Sequence, residues 1–200
     1  MMDTLTAIEQ RRSVKHYDPA HRMTDEEIRR LIGLAALSPT SINMQNWRFV
    51  VARDPALRLQ LRAAAFNQAQ VTDASIWVIL CADLKAFKRS PERYWSTAPP
   101  EVAQMMVQML GMYEGREQLQ RDEALRSCAL AAQTIMLAAK ALGYDSCPMA
   151  GFDPEAVGRL INLPPDHVIG LAVAVGKALQ PARPRGGQLP LEDVMVFDRF

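Results

Sequence analysis

The sequence predicts one domain of mixed helix and strand, and three observations carry that prediction. Apolar runs over 48–52, 76–82 and 168–175 have strand length and end at turn-forming residues. Between them lie stretches whose apolar residues recur every three or four positions, the mark of a helix with one buried face. A length of 200 residues, 49% hydrophobic and 22% charged, suits one domain spanning 1–200 or one protomer of an intimate oligomer. Neither a repeat nor an interdomain linker interrupts it.

The elements follow in order. Thr6 and Glu9 have capping-box spacing and open a short first helix, closed by Tyr17-Asp18-Pro19. Thr24 and Glu27 form a cleaner box for a second helix with Ile28, Leu31, Ile32 and Ala35 on one face, ending before Ser38-Pro39. A polar loop over 38–47 enters the first strand, and Asp54-Pro55 starts a helix over 55–65. The charged, proline-bearing stretch 85–100 reads as a loop or lid. A methionine-rich helix over 102–113 follows, then a helix over 122–142 that is apolar nearly all round and closed by Gly143. So apolar a helix in so small a protomer predicts a subunit interface as well as a core. Asp145 to Pro148 reads as a turn, Asp153 and Pro154 start a helix to 160, and 168–175 is a buried strand. The tail over 177–187 is basic and rich in proline and glycine, yet leads to a strand-like run at 194–197 that predicts pairing with another subunit.

A net charge of +1 provides no broad basic field, which excludes nucleic acid and anionic membrane surfaces as expected partners. The three cysteines match neither a disulfide framework nor a zinc spacing, no signal peptide is visible and no apolar run approaches a membrane span. The expected location is the cytoplasm.

Side-chain catalysis has little support. His16, His21 and His167 sit in polar, turn-like surroundings that read as exposed and structural, and no nucleophile elbow, metal motif or glycine-rich phosphate loop occurs. An enzyme built this way needs a cofactor. Arg11-Arg12-Ser13 and Lys15, with Arg183 and Arg185 far along the chain, offer guanidinium forks and a hydroxyl suited to a phosphate. Alone, the same segment reads first as a solvated basic helix end.

The runs RRSVKHY, SPTSINMQNWRF, FNQAQVTDAS, PMAGFD and a late RPR stand in an order and at distances that resemble the FMN-dependent nitroreductase family, from about residue 8 to 196. The resemblance implies an α+β fold, with a central, mostly antiparallel sheet flanked by helices. It implies a homodimer whose C-terminal strand is exchanged between subunits, with FMN at the interface. Arg11, Arg12 and Ser13 would contact the phosphate and ribityl chain, Lys15 the N1–O2 edge of the ring, and Arg183 and Arg185 would complete the phosphate clamp. Asn67 would meet the pyrimidine edge; Ser38, Pro39, Thr40, Ser41 and Asn43 would come from the opposite subunit. The backbone from Pro148 and Met149 through Ala150 and Gly151 would approach the ring and donate an N–H to N5.

Ala150 stands where many members have an acidic residue, Asn46 where proline is common, and Gln70 where some have a second lysine. Without the resemblance, Asn67 reads as a turn cap, and Trp47, Trp77 and Met105, Met106, Met109 and Met112 as core, the methionines alternatively as an adaptable substrate wall. The implied function is hydride transfer from NADH or NADPH to flavin, then to a small-molecule electron acceptor, typically a nitroaromatic or quinone, in ping-pong order. The alternatives are a narrower enone or dehalogenating reductase, and a non-catalytic FMN-binding or regulatory protein.

Overall fold

The computed structural model describes residues 2–200. Its centre is a four-stranded antiparallel sheet of β1 (Trp47–Ala52), β2 (Ile76–Asp83), β3 (Asp145–Met149) and β4 (His167–Gly176), ordered β1-β2-β4-β3. Helices α1 (Thr4–Gln10), α2 (Asp25–Ala35), α3 (Pro55–Ala64), α4 (Gln70–Asp73), α5 (Pro100–Leu110), α6 (Glu117–Ala141), α7 (Pro154–Leu160) and α8 (Leu191–Val194) complete the α+β architecture.

β2 explains the layering. Its side chains alternate between faces, Ile76, Val78 and Leu80 joining one core and Trp77, Ile79 and Cys81 the other. The first core packs against α2 and α6 through Leu31, Ala35, Ala132, Ile135 and Ala139. The second packs against α3 through Leu61, with Val14 and Tyr17 from the segment after α1. A strand covered on both faces reads as one continuous apolar run, which is why β2 and β4 stand out in the sequence. Leu80 faces Leu171 and Cys81 faces Ile169, so Gly170 is a bulge residue. A Cβ there would lie 2.6 Å from the Cβ of Cys128, so glycine lets α6 close onto β4.

Several expectations change. α1 is capped by Asp3, whose carboxylate accepts from the Thr6 N–H at 3.1 Å; Thr6 and Glu9 form no box. The Thr24–Glu27 box is present in both directions. The expected turn at Asp145 to Pro148 is instead β3, an edge strand where a proline lacking N–H is tolerated. α6 begins at Glu117, before the expected start, and α5 runs Pro100–Leu110 with a further 3-10 turn at Gly111–Tyr113. The 85–100 stretch is a strap with 3-10 turns at Ala86–Lys88 and Pro91–Trp95, held by a small core of Met44, Phe87, Tyr94, Leu110 and Tyr113. The run at 194–197 forms no strand within the chain: Leu191–Val194 is one helical turn and everything from 183 on is exposed. The outer edge of β1 is correspondingly unpaired among the described residues. His167 is not exposed; its side chain is 9% accessible. Among the described residues no helix is long and apolar enough to cross a membrane.

Candidate functional site

The segment after α1 runs beside β3, with Val14 N–H donating to Ser146 O at 3.1 Å. Val14 and Tyr17 point inward, 2% and 1% exposed, so the extended backbone turns Ser13 and Lys15 outward. Arg11 is the C-cap of α1. Arg12 Nη1 donates to Glu9 O at 2.6 Å, and Arg185 Nη2 lies 3.4 Å from Ile8 O, Glu9 O and Arg11 O. The partial negative charge of the helix end thus gathers guanidinium groups separated by most of the chain. Arg11 Nη1 is buried with no acceptor. Among the described residues none of Arg11, Arg12, Lys15, Arg183 and Arg185 has a carboxylate within ion-pair distance. Arg183 is exposed and makes no hydrogen bond to the cluster; Arg185 does.

β3 leads to Pro148, Met149, Ala150 and Gly151. Met149 points inward, its Sδ 3.3 Å from Trp77 Nε1, so only its backbone is open to a ligand. Ala150 and Gly151 are exposed, and their N–H groups have no backbone acceptor among the described residues. The turn after α3 meets this edge: Gln68 Nε2 donates to Gly151 O at 2.6 Å, and Gln70 Nε2 to Gln68 Oε1 at 3.0 Å. Gln70 is 5% exposed and supports Gln68 from within. The sequence does not single out Gln68 or this relay; their one visible signal is proximity to Asn67. Phe66 and Asn67 have φ of 53° and 58°, and Asn67 is exposed with no side-chain hydrogen bond among the described residues. A Cβ on Gly151 would meet only Gln68 Nε2 at 3.5 Å, ordinary contact, so within this chain nothing forces glycine there.

The 38–43 loop lies elsewhere. Ser38 Oγ is 2.8 Å from Thr134 Oγ1, Ser41 N–H donates to Glu123 Oε1 at 3.2 Å, and Asn43 Nδ2 donates to Tyr94 O at 2.8 Å. Pro39 is exposed, and the Thr40 hydroxyl accepts from Gln45 N–H at 3.0 Å. No hydrogen bond among the described residues joins this loop to 11–15, to Asn67 or to 148–151 of the same chain.

A second charged cluster brings Asp83, Asp166 and His167 close enough together to resemble a metal site. Arg89 Nη1 lies 3.2 Å and Arg48 Nη2 3.6 Å from Asp83 Oδ2, while Arg89 also pairs with Asp166. Two guanidinium groups already neutralise the carboxylates, so this is an ion-pair knot. Burial pushes the Cys81 and Cys128 thiols up to about 12, leaving them protonated packing groups. The larger hollows, of about 610 Å³ beside β1 and about 790 Å³ between α7 and β4, lie away from the Arg11 cluster.

The edge of this α+β sheet thus gathers cations without carboxylate partners and backbone N–H groups without backbone acceptors among the described residues, a donor set suited to an anion. The nitroreductase family model matches residues 8–177, and the chain belongs to that family and is an oxidoreductase. It is 52% identical to protein DrgA of Synechocystis sp., covering 99% of this chain and 97% of that one. It is 31% identical to an oxygen-insensitive NADPH nitroreductase of Helicobacter pylori, covering 88% and 87%. A crystal structure from Exiguobacterium sibiricum, solved in complex with FMN, superposes with a TM-score of 0.90 at 28% identity, covering 98% of each chain.

Proposed function

We propose that this chain is an FMN-dependent NAD(P)H oxidoreductase acting as a homodimer. The observation that carries this reading is the cationic cluster at the end of α1, which has no carboxylate of its own and a buried Arg11 Nη1 lacking an acceptor. A phosphate supplies the missing charge and acceptors, and charge-assisted hydrogen bonds of this kind are strong.

In this reading Arg11, Arg12 and Ser13 hold the phosphate and ribityl chain, with Arg185 and Arg183 closing over them. Lys15 faces the N1–O2 edge, where a cation favours an anionic reduced ring. Asn67 meets the pyrimidine edge, and Ala150 and Gly151 present backbone N–H groups. FMN supplies the redox chemistry, taking hydride from NADH or NADPH and passing it to a nitroaromatic, quinone or related small-molecule acceptor in ping-pong order. The protein's part is binding, orientation and charge.

The dimer is supported by surface that a lone chain leaves wet. Leu5, Leu37 and Leu130 are 71%, 79% and 47% exposed around a hollow of about 400 Å³ lined by Ala7, Leu34, Leu137 and Ala138. The open edge of β1 borders a groove containing Met23, Val50, Val51 and Leu57, while Val194, Met195, Val196 and Phe197 hang free. Seating that run on the β1 edge of a second copy satisfies both. The same dimer brings Ser38, Pro39, Thr40, Ser41 and Asn43 to the partner's flavin.

The purified protein is expected to be yellow, to release FMN on denaturation and to oxidise NADH or NADPH with a quinone. Arg183→Ala with Arg185→Ala is expected to yield largely apo protein. A colourless protein that fails to take up added FMN would falsify the reading; one that binds FMN without turnover would leave only the storage role.

A further inference from the structure

Helix α6 carries a polar seam through an otherwise apolar packing surface. Gln120, Glu123 and Ser127, at three- and four-residue spacing on one face, are 5%, 8% and 0% exposed. Gln120 ties the start of the strap to the turn after α5: its Oε1 accepts from Lys85 Nζ at 2.7 Å and its Nε2 donates to Tyr113 O at 2.7 Å. Glu123 Oε1 accepts from Ser41 N–H at 3.2 Å and from Ser127 Oγ at 3.3 Å; its Oε2 accepts from Arg126 Nη1 at 3.2 Å. Thr134, further along α6, holds Ser38.

The loop so held is strained. Ile42, Asn43 and Gln45 have φ of 50°, 52° and 45°, a region that costs any residue with a Cβ and a β-branched one most. Such a backbone persists only where its surroundings over-determine it. Here those surroundings are the Glu123 carboxylate, the Thr40 hydroxyl and the Tyr94 carbonyl.

We propose that Glu123 is a positioning residue. Its buried carboxylate fixes the Ser41 amide, sets the left-handed turn, and thereby the geometry at which the loop meets FMN bound by the partner subunit. This role rests on the flavin and dimer reading above. It makes α6 the common frame of the flavin loop and the strap, because adjacent turns of one helix hold both.

The test compares Glu123→Ala and Glu123→Gln with wild-type protein. It uses three measurements: amide hydrogen exchange over residues 40–45 in apo protein, FMN affinity by flavin fluorescence, and the visible circular dichroism of bound flavin. Removing the acceptor from the part-buried Ser41 N–H should speed exchange and weaken FMN binding, each by about tenfold, in Glu123→Ala. It should also change the shape of the flavin dichroism. Glu123→Gln keeps an acceptor oxygen and should stay within about threefold of wild type on every measure. Should the alanine variant fail to fold, Glu123→Asp, which withdraws the carboxylate by one methylene, replaces it with the same expected signs. Unchanged loop exchange in the acceptor-removing variant overturns the proposal, whatever its FMN affinity. So does faster exchange with wild-type affinity and dichroism. Wild-type protein that binds no FMN overturns the flavin reading first, a failure recognisable because it does not depend on position 123.

Discussion

Two charged clusters on this molecule differ in what they lack. Around Asp83, which is 1% exposed, Arg48 and Arg89 supply countercharge and the Lys85 N–H donates at 2.8 Å. That knot ties the end of β2 to the strap and to the start of β4, and its charges are balanced within one chain, although Asp83 Oδ2 accepts no hydrogen bond. At the end of α1, Arg12 and Arg185 converge on backbone carbonyls alone, and Arg11 Nη1 has no acceptor. A buried charge requires a partner, whereas cations at a half-open helix end can wait for one. The difference is one of charge balance: the knot holds both signs, the α1 end only one.

The comparison breaks first at Asp83. Asp83→Ala leaves two part-exposed guanidinium groups and the Lys85 N–H without their shared carboxylate and is expected to cost about 1–3 kcal/mol of stability, read from urea unfolding of apo protein. A variant as stable as wild type would make the knot ornamental. Arg11→Ala should do the reverse: stability within about 0.5 kcal/mol of wild type, but FMN affinity down by roughly ten- to a hundredfold in a fluorescence titration. Added salt sharpens the contrast, since it screens half-exposed charges but hardly reaches buried ones. Raising ionic strength from about 0.05 to 0.5 M should weaken FMN uptake several-fold without lowering the unfolding midpoint.

The smallest effect concerns pH. Burial, the largest influence, holds His167 below its ordinary pKa despite the nearby Asp83 carboxylate. The unfolded chain therefore binds more protons there than the folded one, so stability should fall as pH drops below about 6.5, the ordinary histidine value. His167→Asn should flatten that slope in denaturation midpoints taken on either side of it.

Legibility followed physics rather than importance. β2 and β4 were visible because two-sided burial writes an unbroken apolar run. β3 was not: Asp145, Ser146 and Pro148 are turn formers, and only β4 on one side and Val14 on the other make them a strand. Arg58 shows the same limit. On the sequence it is one more helix arginine, yet it is 4% exposed, donating to Val71 O, Ala74 O and Ser75 O, with burial lowering its pKa to about 10. The Arg11–Lys15 segment was legible because its charge density is local. Gln68 and Glu123 were not, since each acquires its role through a contact distant in the chain, to Gly151 and to Ser41.

On the proposed exchange, the unpaired edge of β1 and the free run at 194–197 would make one chain both an acceptor and a donor of the same segment. Two copies that trade reciprocally close on themselves. Copies that each pass the strand onward build an open array whose length is set only by supply. In that exchange the proline- and glycine-bearing connection over 177–190 would set how far the segment can reach, and so select between a finite particle and a polymer. Altering the length of that connection is therefore expected to act on assembly before it acts on folding.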